Sequence, residues 1–178
     1  MRRIFPLTLA VWLPLLAAST LSSVSLSGCS RTPTSPEPPI PEVPFRTMSA
    51  QVGQLPWNSV RATASPPLSG SQEATFVQGL GDSITVTILL PSRNPSVGTY
   101  ALGEGWSGMG GCSVLTSQGW ILYYTNRAFT GSATVTKVDS TGIQGGFQFK
   151  ALEPGSGRVL RITAGAFNVP IEAVAAAR

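Results

Sequence analysis

Few side chains in this 178-residue sequence can do covalent or proton chemistry: two cysteines, eight carboxylates and no histidine. The missing imidazole removes Ser-His and Cys-His catalysis and every metal site with a His ligand. Two thiols are too few for a four-cysteine zinc site or an iron–sulfur cluster. Six carboxylates follow residue 44: Glu73, Asp82, Glu104, Asp139, Glu153 and Glu172. Hydrolysis of a glycosidic bond would need two of them facing each other about 5–10 Å apart. Asp82, Asp139 and Glu153 instead stand beside Gly, Ser or Pro, the company of turns. No acids recur at the alternating spacing of a calcium loop. Cys112 has no cationic sequence neighbour to lower its pKa, so it reads as a small buried hydrophobe. Gly103-Glu104-Gly105-Trp106-Ser107-Gly108 matches the G-x-G-x-x-G fingerprint, but strand-like Cys112–Thr116 follows where a helix N-terminus would have to hold pyrophosphate. It reads as a glycine-rich loop, and no cofactor is expected.

Aromatic side chains are the better candidates for binding: Tyr100, Trp106, Trp120, Tyr123 and Tyr124. On a strand, Trp120 and Tyr124 share one face while Tyr123 takes the other. Rings on a face open to water can stack on a glycan or a small apolar ligand; rings on a covered face are packing.

The elements that would position these residues begin only after an export segment. Arg2 and Arg3 precede an apolar run, Ile4–Ala18, broken by Pro6 and Pro14. Fifteen helical residues rise about 22 Å, short of a hydrocarbon core of about 30 Å. A polar run of small residues leads to Leu26-Ser27-Gly28-Cys29, which resembles the bacterial lipobox. The resemblance implies cleavage before Cys29 and acylation of its sulfur, and commonly of the new amine. Each buried CH2 contributes about 0.8 kcal/mol, so more than one chain makes a lasting anchor. Membrane lipid is therefore the expected partner of Cys29. Ser30, rather than Asp, follows the cysteine, and in a Gram-negative cell this points to the outer membrane.

Residues 1–28 are thus read as a signal peptide and 29–44 as a lipidated cysteine with a proline-rich linker. Prolines at 33, 36, 38, 39, 41 and 44 favour extended polyproline II. Removal of Arg2 and Arg3 leaves ten basic and eight acidic groups, scattered singly, without the basic face that nucleic-acid binders present.

Residues 45–178 show short alternating runs punctuated by Gly, Pro, Asn and Asp, the texture of antiparallel strands. Ile84, Val86, Ile88 and Leu90 alternate with Ser and Thr; Phe147, Phe149 and Ala151 alternate with Gln148 and Lys150. Asp139-Ser140-Thr141-Gly142 reads as a hairpin with the glycine at positive φ. Trp120–Thr125 is apolar on both faces, as in a central strand. The expectation is an all-β domain: a single antiparallel β-sandwich of about ten short strands, or a closed up-and-down, calycin-like barrel.

The order of Phe45–Val52, Gly53, Trp57, Gly98-Thr99-Tyr100-Ala101-Leu102, Gly131–Lys137, Gly145–Phe149 and Gly165–Ile171 is similar to that of an uncharacterised domain family of bacterial lipoproteins. The sequence departs from it at Val52-Gly53-Gln54, where Asn or Asp would precede the glycine. The resemblance implies fold and location and no reaction. The expected function is that of a non-catalytic binding or structural domain of the cell envelope. A ligand-binding barrel or sandwich using its aromatics, and a hydrolase using two carboxylates, are the alternatives.

Overall fold

The computed structural model describes residues 39–65, 74–103 and 108–172. The lipobox residues Leu26, Ser27, Gly28 and Cys29, together with Glu73, Glu104 and Trp106, lie outside the described residues.

Eleven strands and no helix make up the described chain. They are β1 (Thr47–Val52), β2 (Leu55–Asn58), β3 (Arg61–Ser65), β4 (Thr75–Leu80), β5 (Ile84–Leu90), β6 (Gly98–Leu102), β7 (Met109–Thr116), β8 (Gly119–Tyr124), β9 (Gly131–Val138), β10 (Ile143–Leu152) and β11 (Val159–Val169). All pair antiparallel within one sheet, ordered β2-β1-β11-β10-β8-β7-β5-β4-β3, and β9 and β6 branch from β10. The sheet is strongly curled into a half-barrel, so the all-β expectation holds and both layers of core are walls of one sheet.

Long β10 explains the branch. Its first seven residues pair with β9, and its last, Leu152, pairs with Tyr124 of β8. At one end of the sheet, β3 also meets the segment that follows β11. The Ala64 N–H donates to the Pro170 carbonyl (2.8 Å) and the Glu172 N–H to the Ala64 carbonyl (2.7 Å). Arg61 and Glu172 form an ion pair of 3.0 Å across this seam.

Alternation supplies the core. Met48, Val77, Val86, Ile88, Leu90, Leu102, Val135, Ile143, Ile162, Phe167 and Val169 point inward and are almost fully buried. Phe147 stacks on Phe149 and on Phe167, with ring centroids 6.2 and 6.4 Å apart. A bulge on β11 lies between Ile162 and Gly165, where Ala164 takes a positive φ of 48°. Such a bulge adds a residue on one strand and bends the sheet. The end of the proline-rich stretch runs over this region, with Val43 buried and its carbonyl accepting from Asn168 Nδ2 at 3.2 Å.

Two turns show how local chemistry settles details. Gly53, with φ 62°, is the one positive-φ residue of the β1–β2 turn. That is the pattern of a type II′ turn, which needs glycine first and makes no demand for Asn or Asp before it. In the β9–β10 turn the expected positive φ at Gly142 is absent. The Asp139 carboxylate holds this turn by accepting from the Thr141 N–H (2.8 Å) and the Gly142 N–H (3.2 Å). Glycine is required there for space, since a Cβ would lie 2.2 Å from the Val169 carbonyl oxygen.

Candidate functional site

β8 lies between β7 and β10 in the sheet, and strict alternation sends Trp120, Leu122 and Tyr124 outward and Ile121 and Tyr123 inward. The expectation of a strand covered on both faces therefore fails on one side. Trp120 is 53% exposed, Leu122 61% and Tyr124 40%, and Leu115, opposite Trp120 on β7, is 44% exposed. Each outward step of two residues advances about 7 Å along a strand, so Trp120 and Tyr124 stand roughly 13 Å apart with Leu122 between them.

Toward β7, β5 and β4 the partners of Leu122 and Tyr124 are uncharged. Leu122 faces Ser113 and then Thr85; Tyr124 faces Gly111 and then Thr87. Beyond them β4 presents Phe76, Gln78 and Leu80, with Gln78 Nε2 donating to Thr87 Oγ1 at 3.3 Å. On the other side Tyr124 pairs with Leu152 of β10, which pairs with Val159 of β11. An exposed aromatic-aliphatic strip thus crosses the outer face from β7 to β11.

One step along the same face the chemistry changes. Lys150 and Arg161 stand directly opposite each other on β10 and β11. They line an open groove of about 240 Å³ with Thr130, Ser132, Gln148 and Thr163.

The other aromatic candidates have different employment. The Tyr100 hydroxyl donates to the Ser96 carbonyl (2.8 Å) and accepts from the Ser96 N–H (2.9 Å), pinning the loop before β6. Tyr123 is half-buried against the core beside Cys112. Of the four candidate rings among the described residues, the structure brings Trp120 and Tyr124 together on an open face, while Tyr100 and Tyr123 belong to the packing. The leucines of the strip went unremarked in the sequence, although Leu115 and Leu122 share the outward parity of Trp120.

Among the described residues the groups capable of catalysis are dispersed. Cys112 is 2% exposed, and burial pushes its thiol up to about 12. The Asp139 carboxyl is held well below the usual carboxylate range, first by Lys137 (2.7 Å) and then by Thr141. Glu172 is paired with Arg61, Glu153 accepts from the Ser156 hydroxyl, and Asp82 is exposed between β4 and β5. Among the described residues no three His, Cys, Asp or Glu side chains gather as a metal site.

Residues 46–170 match the model of a domain of unknown function, DUF6252. The chain belongs to the DUF6252 family. The DUF6252 span encloses all eleven strands, and with them the strip and the basic groove. No curated protein and no solved structure matches the chain.

Proposed function

We propose that this chain is exported, held on a bacterial membrane by lipid on Cys29, and acts there as a non-catalytic module that binds glycan through the outer face of β7 and β8. The anchor is supported by Leu26-Ser27-Gly28-Cys29 behind an apolar run, and by the proline-rich spacer after it. Ser30 favours the outer membrane.

One observation carries the binding part: the exposed strip of Trp120, Leu122 and Tyr124 on β8 with Leu115 beside them on β7. Contiguous exposed apolar surface marks an interaction site. Rings bordered on the β7 and β5 side by Ser, Thr and Gly suit the apolar face and hydroxyl rim of a sugar. The inward side chains of the described strands pack together as one buried cluster, and the reading puts a ligand on the outside wall. A non-catalytic role is supported by the lack of histidine and by the buried, neutral Cys112 thiol.

The test is retention of the full chain, in neutral detergent, on an immobilised panel of neutral and acidic glycans. Trp120→Ala and Tyr124→Ala are expected to weaken retention at least about tenfold, equivalent to about 1.4 kcal/mol. Retention of no glycan by the wild-type chain, or equal retention by these variants, refutes the reading.

A further inference from the structure

Lys150 and Arg161 are directly cross-strand on the exposed face of an antiparallel pair. Like charges so placed repel and destabilise a sheet. The ion pairs among the described residues are Arg61–Glu172 and Lys137–Asp139, and neither cation of the β10–β11 pair takes part in one. Hydroxyl and amide side chains surround the two cations: Thr130, Ser132, Gln148 and Thr163. A guanidinium offers a fork of donors and an ammonium three more; the hydroxyls and amide donate or accept as required. The groove therefore presents donors and positive charge that no ion pair among the described residues satisfies.

Position gives this groove its meaning. Lys150 and Leu152 are two residues apart on one strand and share a face, and Leu152 pairs with Tyr124 of the strip. Lys150 is thus about 7 Å along β10 from the row that carries Tyr124. A chain molecule stacked on Trp120 and Tyr124 and continuing past Leu152 runs directly onto the two cations.

We propose that the β9–β11 groove is an anion subsite, and that the ligand of the strip is an acidic glycan whose carboxylate, sulfate or phosphate sits between Lys150 and Arg161. This deepens the glycan reading and rests on it. A neutral glycan would leave the two cations facing each other without compensation. An acidic one removes the repulsion and gains charge-assisted hydrogen bonds, which are the stronger kind.

The experiment uses the full chain in neutral detergent and matched pairs of probes. These are oligogalacturonate against its methyl ester, a sulfated oligosaccharide against its desulfated, carboxyl-reduced form, and inorganic sulfate and phosphate alone. Calorimetry is run on wild type, Lys150→Gln, Arg161→Gln, the double variant, and Arg93→Gln as an equal charge change elsewhere. The expected result is tighter binding of at least one acidic member than of its neutral partner. The double variant loses that preference by about tenfold or more, while Arg93→Gln keeps it. Equal affinity for acidic and neutral members, or a preference that survives the double variant, overturns the proposal. Inorganic sulfate binding as tightly as the acidic glycan also overturns it, leaving a site for free anions. The two failures are separable. Loss of all glycan binding in Trp120→Ala with an intact charge preference in the double variant removes only the subsite. Loss of the acidic preference in the double variant, with Trp120→Ala unchanged, removes only the strip.

Discussion

Cys112 offers a quantitative check on the architecture and on the proposal that its thiol is inert. It sits on β7 between Val86 of β5 and Tyr123 of β8 and is 2% exposed, and burial pushes its thiol from an ordinary 9.0 up to about 12. At pH 8 a thiol of pKa 9 is about one-tenth thiolate and one of pKa 12 about one part in ten thousand, so native Cys112 is expected to alkylate about a thousandfold more slowly than in the unfolded chain. Iodoacetamide labelling followed by mass spectrometry of the Cys112 peptide, native against guanidinium-unfolded, reads this ratio. The same shift links stability to pH. The folded pKa is raised, so the unfolded state loses its proton first. The contribution is fully present below pH 9 and is lost progressively as pH rises through about 12. In that window the slope approaches about 1.4 kcal/mol per pH unit, and Cys112→Ala, lacking the thiol, is expected to be flatter by that amount. Native labelling within tenfold of the unfolded rate, or identical slopes for wild type and Cys112→Ala, would refute the burial argument and reopen a reactive thiol.

Other consequences are as direct. Phe167, fully buried and stacked on Phe147, is expected to cost about 3–5 kcal/mol when replaced by Ala, read as a lowered urea midpoint. Gly142→Ala drives a Cβ to 2.2 Å from a backbone oxygen that has no freedom to turn aside, and is expected to destabilise by about 1–3 kcal/mol. Lys150→Gln removes a cross-strand repulsion and is expected to stabilise the apo chain by a few tenths of a kcal/mol, about 1 °C in Tm, while weakening acidic glycan binding. Asp139 is depressed in the folded state, so its hold on the β9–β10 turn is present above the ordinary carboxylate range and fades as pH falls. The protection factor of the Gly142 amide, with the intrinsic exchange rate at each pH divided out, is expected to fall in wild type as pH drops below the ordinary carboxylate range and to change little in Asp139→Asn.

Much of the fold was written in period-two patterns. Ile84–Leu90 and Phe147–Ala151 each point one set of side chains inward, and both runs are strands with that parity. Sheet closure was less legible, because β10's pairing with β9 along one stretch and β8 at its end depends on length and curl, which alternation does not encode. The shared face of Trp120 and Tyr124 followed from spacing, but its exposure did not. Apolar residues at both parities suggested cover on both sides, and only the assembled sheet leaves the outer side bare. The Lys150–Arg161 pairing joins residues from different strands through a register fixed partly by the β11 bulge, and no local pattern announces it. Tyr100 looked like a binding ring for want of any signal that its hydroxyl closes on Ser96.

The central claim is that this domain works while tethered to a bilayer through position 29. Radiolabelled palmitate incorporation into the full chain, with and without Cys29→Ala and followed by membrane fractionation, tests it most directly. The account predicts a labelled wild type that stays with the membrane through high-salt washing, and an unlabelled Cys29→Ala. A wild-type chain that takes up no label and fractionates as a soluble protein would contradict it.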